Sequence, residues 1–318
     1  MIMKKKRKVS IIICCYNEES NIPVVVNAIH NNMAEVSVFY DYEIIAVNDG
    51  SNDGTQELLE NMSETDECLF YIELSKNFGH SNALKAGLDM STGDAIISMD
   101  ADMQHPPEML PVLLQEWENG YDIVYTRREE DPAQGLMKRK TSKWFYRCLN
   151  SVSDIKLEAG TADFRLIDIR VLDVLSRFKG TDLFIRGIVS WMGFRQKDIM
   201  YTPHQRFSGK SKYTLQKMLN LAAQGILSFS TKPLKIVIYV GLFFAMISFF
   251  FIPYAFISLY AGHVKAGWVS LILSVSLFGG LQLFVLGVLG LYLGSIFTQT
   301  KGFPSYIVRS TNLSENGK

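Results

Sequence analysis

Asp100 and Asp102 follow the apolar run Ala95–Met99 directly, and their carboxylates could bind a divalent metal. Carboxylate oxygens are hard ligands that suit Mg²⁺ or Mn²⁺, and these ions also bind substrate phosphates. Gln104 could add a carbonyl oxygen to the same ion. A metal here would neutralise charge on a departing diphosphate, although a surface turn rich in aspartate produces the same short pattern.

Two further polar clusters contain side chains that could bind a nucleotide. Tyr16 and Glu18 follow one apolar run, and Asp49 follows another, where it could accept hydrogen bonds from a base or a ribose. Asp49 could instead form a local turn or cap a helix, for which Asp53 is the better candidate. His80 could cap the next helix or line a donor pocket, and a structural role is favoured.

Apolar runs of strand character alternate with segments of helical spacing, which predicts an α/β fold with a mostly parallel sheet. In such sheets ligands gather at the carboxyl ends of the strands, where these polar clusters fall. Their convergence favours a functional site over unrelated surface turns. The predicted strands are Val9–Cys15, Glu43–Val47, Leu69–Leu74, Ala95–Met99 and Tyr121–Thr126, and the predicted helices are 20–31, 56–62, 79–90 and 106–117.

Residues 236–260 and 268–298 contain no charged side chain, and each run is long enough to cross a bilayer. A buried core helix is the alternative, which two adjacent runs disfavour. The short connection between them predicts a hairpin, so both chain ends lie on one side. Lysine and arginine are more numerous beside the ends of the hairpin than in its loop, which predicts a cytoplasmic catalytic domain and cytoplasmic termini in a plasma or inner membrane.

The predicted organisation has four parts. These are a soluble domain at 1–210, an amphipathic juxtamembrane segment at 211–234, a transmembrane hairpin at 235–300 and a cytoplasmic tail at 301–318, with residues 311–318 disordered. The formal net charge is zero, from 32 basic and 32 acidic residues, so no global field favours nucleic acid as a partner. The four cysteines lack metal-ligand or redox spacing, which favours buried, reduced thiols.

A basic loop precedes the membrane segments. Arg206, Lys210 and Lys212 could gather around a phosphate held at a membrane surface. Apolar residues at helical spacing over 215–227 predict a helix lying on the membrane, with a core-packed helix as the alternative. Residues 144–149, beside basic residues at 138–143, predict a second interfacial helix with the same alternative.

The ordered motifs resemble the GT-A, family 2 glycosyltransferases, specifically the branch that loads sugars onto polyprenyl phosphate. Dolichol-phosphate mannose synthases and bactoprenol glucosyltransferases belong to that branch. The resemblance covers the whole chain and implies metal-dependent transfer from UDP-glucose or UDP-GlcNAc to undecaprenyl or another polyprenyl phosphate, for cell-envelope glycans. The motifs are Val9 through Asn17-Glu18, Asn48-Asp49-Gly50-Ser51-x-Asp53-Gly54-Thr55, Lys76-Asn77-Phe78-Gly79, Gly93-Asp94 and Asp100-Ala101-Asp102-x-Gln104-x-Pro106-Pro107-Glu108.

The resemblance also implies roles for matching positions. The residues implied to contact the donor are Tyr16, Glu18, Asp49, Lys76 and Asp100. The implied metal ligands are Asp100, Asp102 and Gln104. The implied catalytic residues are Asp102, Asp163, Arg127, Arg206 and Lys212. Arg127 matches a basic residue near the phosphates, Asp163 an aspartate proposed as a base, and Arg206 and Lys212 an acceptor-side loop. His105 stands where the family often has aspartate, and Cys14-Cys15 replaces a more usual Val-Pro pair.

A lipid phosphate that attacks the anomeric carbon opposite the departing diphosphate would invert its configuration. Because a phosphate is already ionised at pH 7, Asp163 is expected to position Arg165 or Lys212, or a sugar hydroxyl, more than to take a proton. Two alternatives stay open, a processive polysaccharide synthase and a non-catalytic nucleotide-sugar-binding scaffold. The Gln-x-x-Arg-Trp element that is typical of processive synthases does not occur in this sequence. The glycine-rich second run, with the resemblance, predicts a homo-oligomer such as a tetramer.

Overall fold

The computed structural model describes residues 6–129, 161–178, 180, 184–202, 230–260 and 267–313. The acceptor loop predicted around Arg206 and Lys212 lies outside these ranges, and so do the interfacial helices predicted at 215–227 and 144–149. The described residues form an α/β domain and two long helices, after which a short strand returns to the domain.

Eight strands form a single sheet. They are β1 (Arg7–Cys15), β2 (Tyr40–Asn48), β3 (Leu69–Leu74), β4 (Ala95–Asp100), β5 (Ile123–Arg128), β6 (Thr161–Asp168), β7 (Gln196–Tyr201) and β8 (Val308–Thr311). Their order is β7-β5-β6-β4-β1-β2-β3-β8. Strands β6 and β8 run antiparallel to their neighbours, while the other described strands share one direction. The prediction of a mostly parallel sheet is confirmed.

Helices cover both faces of the sheet. They are α1 (Ile22–Ala34), α2 (Thr55–Thr65), α3 (His80–Met90), α4 (Met109–Glu118), α5 (Ile169–Leu175), α6 (Ile185–Trp191), α7 (Lys232–Tyr260) and α8 (Trp268–Thr300). Ile11 and Ile13 pack with α1, α2 and α4, whereas Ile12 packs with α3, α5 and α6. Neighbouring strand residues point to opposite faces, so Cys15 joins the first core and Cys14 borders the second, as predicted.

The strands and helices predicted over the first 126 residues are all present, with small shifts at their ends. Helix α4 begins at Met109 rather than at Pro106. Pro107 disfavours the helical conformation of the residue before it, and the amides of Met109 and Leu110 close three-residue turns onto the carbonyls of Pro106 and Pro107. Strands β6, β7 and β8 were not among the predicted elements. In β6 the charged residues Asp163, Arg165 and Asp168 interrupt the apolar pattern.

The C-terminal segment pairs with the sheet, so the expectation of disorder at 311–318 is wrong for residues 311–313. Strand β8 lies antiparallel to β3, with Val308 opposite Leu74. The backbone N–H of Tyr71 donates to the Asn312 side chain at 2.7 Å. The edge of β3 would otherwise present unpaired backbone groups, and β8 satisfies them.

The approach of β8 shows on which side the long helices join the domain. The Ser75 amide, just past the carboxyl end of β3, donates to the carbonyl of Ile307 at 2.9 Å. The chain therefore arrives from α8 at the carboxyl edge of the sheet. Within the described residues one stretch, Leu277–Thr300, is long and apolar enough to cross a membrane.

Candidate functional site

The loops that follow β1 and β2 hold each other at the carboxyl edge of the sheet. The amide of Asn17 donates to the hydroxyl of Ser51 at 2.9 Å, and the amide of Asn52 donates to the Asn17 side chain at 2.9 Å. Asn17 has a positive φ of 54°, a conformation that asparagine tolerates better than most residues. The predicted donor-contact residues Tyr16 and Glu18 lie in this joined pair of loops, and both are half-buried.

Asp49 is buried and fixes the turn at the end of β3. One carboxylate oxygen accepts from the amide of Phe78 at 2.7 Å, and the other accepts from the amide of Gly79 at 2.9 Å. Burial raises the pKa of Asp49, against the lowering effect of these two amides. The structure thus gives Asp49 a positioning role, and its predicted contact with a nucleotide stays a prediction. Asp53 forms the local turn expected of it, accepting from the Thr55 amide and hydroxyl, while the N-cap position of α2 is Gly54.

Gly50 allows the β2 loop to approach the next turn closely. A Cβ at this position would lie 2.4 Å from the carbonyl carbon of Lys76, and the φ of 66° also disfavours larger residues. The exposed Lys76 side chain stands over the Phe78 ring, with its ammonium 5.1 Å from the ring centroid. The ends of β2 and β3 are therefore packed against each other at the predicted donor site.

Asp100 ends β4, and its carboxylate lies between two imidazoles. Nε2 of His105 is 3.6 Å from Oδ2, and Nε2 of His80 is 3.8 Å from Oδ1. The backbone amide of Asp100 also donates to Nδ1 of His105 at 3.0 Å, so Nε2 carries the proton in neutral His105. His105 is buried and stacks on Phe164, with ring centroids 5.1 Å apart. This contact explains how a histidine is accommodated where the family often has aspartate.

Asp102 and Gln104 follow in the same turn. The Asp102 carboxylate accepts from the amide of Gln104 at 3.1 Å, and Met103 between them has a positive φ of 62°. Both side chains are half-buried. The turn therefore carries both predicted carboxylates, and the Gln104 amide, at one end of β4.

Asp163 lies beside Asp100 because β6 is antiparallel to β4, with Ser98 opposite Arg165. Its carboxylate accepts from Arg186 at 2.7 and 3.2 Å and from Arg165 at 2.9 Å. Burial would raise the pKa of Asp163, but Arg186, His80 and Arg165 hold it well below its usual range. A carboxylate with so low a pKa is a weak base. The geometry agrees with the expectation that Asp163 positions Arg165.

Arg127 lies near the end of β5, and its guanidinium pairs with Asp198 of β7 at 2.5 Å. Arg127 is the last residue but one of β5, which ends at Arg128. The described contacts therefore place Arg127 at the carboxyl edge of the sheet. Its predicted proximity to donor phosphates remains a prediction.

Sequence reasoning missed several residues of this site. Arg186 at the start of α6 and Tyr201 at the end of β7 belong to elements that were not predicted. Tyr201 meets His105 edge-on with ring centroids 6.0 Å apart. Burial, reinforced by Asp100 and Asp102 against Arg128, raises the pKa of Tyr201 to about 12, so its hydroxyl keeps its proton near neutrality. No short motif around either residue could have revealed these contacts.

The carboxylate oxygens of Asp100 and Asp102 are suitable ligands for a hard divalent cation that is shared with a substrate. Within the described ranges, no three side chains of histidine, cysteine, aspartate and glutamate form a preassembled metal-binding group. Mg²⁺ commonly takes one or two carboxylates and completes its shell with water and substrate phosphates. Asp100 and Asp102, both half-buried at the strand end, offer such an incomplete set of oxygen ligands.

Residues 10–175 match the family model described as "Glycosyl transferase family 2". That segment contains Asp49, Asp100, Asp102 and Asp163, so the match includes most of the site described above. The chain belongs to glycosyl transferase family 2. This membership confirms the resemblance derived from the motifs, and the α/β sheet agrees with the GT-A class predicted for this glycosyltransferase.

Relatives match the glycosyltransferase over nearly its full length. "Uncharacterized glycosyltransferase YkcC" of Bacillus subtilis is 38% identical over 317 residues, covering 99% of this chain and 97% of the relative. "Bactoprenol glucosyl transferase" of Shigella phage SfX is 38% identical over 304 residues, covering 95% and 99%. A solved mannosyltransferase, PcManGT from Pyrobaculum calidifontis in complex with GDP-Man and Mn²⁺, is 16% identical with a TM-score of 0.48, covering 91% of this chain and 88% of that one.

Proposed function

We propose that this glycosyltransferase moves a sugar from a nucleotide sugar, UDP-glucose or UDP-GlcNAc, to undecaprenyl or another polyprenyl phosphate, with inversion. The observation that carries the proposal is that one edge of the sheet bears Asp100 and Asp102 and also receives the chain from α8. Donor chemistry and an apolar helix therefore share one side of the domain. Relatives named bactoprenol glucosyl transferase support a lipid acceptor.

The membrane arrangement in this proposal is a two-helix hairpin. Helix α7 has 29 residues, or about 43 Å at 1.5 Å per residue, and α8 has 33. Both helices exceed the length needed to span the hydrocarbon core. Since β8 returns to the same sheet, the chain must cross an even number of times. The Tyr292 hydroxyl of α8 donates to the carbonyl of Ser230 at 2.8 Å, which ties the two ends of the hairpin together.

The orientation and setting follow from charge and from the acceptor. Lys232, Lys235 and Lys301 flank the ends of the hairpin, which favours a cytoplasmic catalytic domain in the plasma or inner membrane. Nucleotide sugars would reach the site from that side, and the product would serve cell-envelope glycan modification. A homo-oligomer, such as a tetramer, is part of the proposal.

Asp100, Asp102 and Gln104 would hold Mg²⁺ or Mn²⁺ together with the donor diphosphate. When bound, the ion supplies positive charge that stabilises the departing diphosphate. Tyr16, Glu18, Asp49 and Lys76 would hold or position the nucleotide. The phosphate oxygen of the lipid forms a bond to the anomeric carbon, while the bond from that carbon to the diphosphate breaks and its electron pair leaves with the diphosphate.

The basic residues divide between donor and acceptor in this scheme. Arg127 would stand near the donor phosphates, and Arg206 and Lys212 would bind the lipid phosphate. Asp163 keeps the buried Arg165 charged and oriented, rather than taking a proton from an acceptor that is already ionised. Burial lowers the pKa of Arg165 to about 10, which still leaves the guanidinium charged at pH 7.

A transfer assay with the full-length protein in nanodiscs tests this function. Polyprenyl phosphate, Mg²⁺ or Mn²⁺ and a panel of radiolabelled UDP- and GDP-sugars are supplied, and lipid-extractable label is counted. We expect label from one donor, reduced about 100-fold or more by Asp100→Asn or Asp102→Asn. Asp41→Asn is the control, because that exposed carboxylate pairs with Lys6 at the opposite edge of the sheet. The absence of lipid-linked label with every donor would contradict the proposal.

A further inference from the structure

The position of His80 is fixed by the end of strand β2. His80 opens α3 directly after Gly79, whose φ is 92°. The turn before it is anchored through the Phe78 and Gly79 amides, which donate to the buried carboxylate of Asp49. The end of β2 therefore sets the position from which the imidazole projects.

The His80 ring lies between two carboxylates of neighbouring strands. Nε2 is 3.5 Å from Oδ2 of Asp163 and 3.8 Å from Oδ1 of Asp100. A proton on Nε2 offsets the repulsion between these negative charges, which the antiparallel pairing of β4 and β6 brings together. The Cys14 thiol of β1 also lies beside the ring.

Apart from His80, the Asp163 and Asp100 carboxylates have different partners. Asp163 is held by Arg165 and Arg186, whereas the second oxygen of Asp100 faces His105. Among the described contacts, His80 is the side chain that touches both carboxylates. A change in its position would move the metal-facing carboxylate relative to the arginine pair.

We propose that His80 is a positioning residue that fixes the Asp100 carboxylate relative to Asp163, and that Asp49 acts through His80 by holding its turn. The proposal rests on the proposed function in so far as Asp100 receives a metal with the donor diphosphate. Groups that orient metal ligands contribute about 10- to 100-fold to metal affinity or activity.

Binding of Mn²⁺ in the presence of UDP or GDP, whichever the wild type binds, tests the role of His80. Isothermal calorimetry is carried out on the full-length protein in nanodiscs. We expect His80→Ala and His80→Asn to weaken Mn²⁺ affinity about 10- to 100-fold. His80→Gln is expected to restore most of the affinity, because its amide nitrogen reaches about as far as Nε2 and can donate to the same carboxylates.

His30→Gln is the matched control. The His30 ring lies 2.7 Å from Asp66 and 2.6 Å from the Tyr42 hydroxyl, on residues remote from the carboxyl edge. This variant should keep wild-type Mn²⁺ affinity within about twofold, as expected for a site that shares no partners with Asp100. Wild-type affinity in His80→Ala, or equal affinities of the Gln and Asn variants, would overturn the proposal.

A double-mutant cycle tests the part played by Asp49. If Asp49 acts through His80, Asp49→Asn lowers Mn²⁺ affinity in the wild type but adds less than about twofold in the His80→Ala background. Fully additive losses would overturn that step and would indicate that Asp49 contacts the nucleotide independently. The Gln and Asn variants of His80 provide the comparison even where the Ala variant fails to fold.

The outcomes also separate this inference from the proposed function. If the wild type transfers no sugar to polyprenyl phosphate while the binding differences persist, the acceptor is wrong and the role of His80 stands. If transfer occurs and His80→Ala binds Mn²⁺ normally, the inference is overturned alone. If the wild type shows no Mn²⁺-dependent binding of either nucleotide, both are overturned.

Discussion

At the residue scale, three aspartates at one edge of the sheet have different partners and therefore different tasks. Asp49 accepts two backbone amides, Asp163 binds two arginines, and Asp100 lies between two histidines. Strand periodicity in the sequence predicts that Asp49 and Asp100 share an edge, whereas Asp163 lies on β6, which was not predicted. Periodicity does not predict their partners, because Phe78 is 29 residues from Asp49 and Arg186 is 23 residues from Asp163.

Asp163→Asn distinguishes a positioning carboxylate from a general base. We expect the kcat for lipid transfer to fall less than tenfold, because general-base catalysis typically contributes about 10²- to 10⁴-fold and an ionised phosphate needs none. Stability should fall by about 1–3 kcal/mol, since buried Arg165 loses its charged partner. Initial rates from pH 6 to 8 and thermal unfolding provide the measurements. A loss within the general-base range in a folded variant would show that Asp163 takes a proton.

At the element scale, the first five strands were predictable and the last three were not. Apolar runs such as Val9–Cys15 alternate cleanly with helical segments, whereas β6 contains charges whose partners include residues distant in the sequence. Trp117, for example, donates to Asp168 from 51 residues away. Strand β8 has only four residues and depends on the edge of β3 for its pairing, so local pattern alone could not identify it.

The attachment of β8 can be tested with adjacent residues. Val308 packs against the core beside α3, whereas Ile307 is 51% exposed. We expect Val308→Ser to lower the free energy of unfolding by about 1–2 kcal/mol, from lost apolar burial. Ile307→Ser should change it by less than about 0.5 kcal/mol, as is usual for exposed positions. Thermal unfolding of both variants in detergent checks this, and equal stabilities would contradict the described packing.

Glu43 ties β2 to β1 and to the turn before β4, and it gives stability a predictable pH dependence. Burial would raise the pKa of Glu43, but Lys8, Ser10 and Thr92 hold it below its usual 4.5. Its contribution is therefore fully present above pH 4.5 and is lost as pH falls through the lower pKa of the folded protein.

Glu43→Gln should destabilise the protein by about 1–3 kcal/mol at pH 7, because Ser10 and Thr92 lose a charged acceptor in a buried site. The difference from the wild type should shrink as the pH is lowered below 4.5. Unfolding is followed at several pH values, with exposed Glu64→Gln as the control. A difference that stays constant on acidification would exclude ionised Glu43 as the source.

At the scale of the whole molecule, the sheet and the apolar helices are joined at the edge that carries the candidate site. The two apolar runs were visible in the sequence because they lack charge, and their helices extend over Lys232–Tyr260 and Trp268–Thr300. The return of the chain into the sheet was not visible, because it depends on pairing between β8 and a strand more than 230 residues away. That return brings the chain from α8 to the edge of the sheet that also carries Asp100, which motivates a membrane-held acceptor.

The mass of the lipid product tests this account most directly. Full-length protein in nanodiscs is supplied with polyprenyl phosphate, Mn²⁺ and the donor that it uses. The mass of the extracted lipid is then measured by mass spectrometry. The lipid should gain one sugar residue and no additional phosphate, because its own phosphate attacks the anomeric carbon. A lipid that gains a sugar together with a phosphate, or that stays unchanged while a soluble acceptor is glycosylated, would contradict the account.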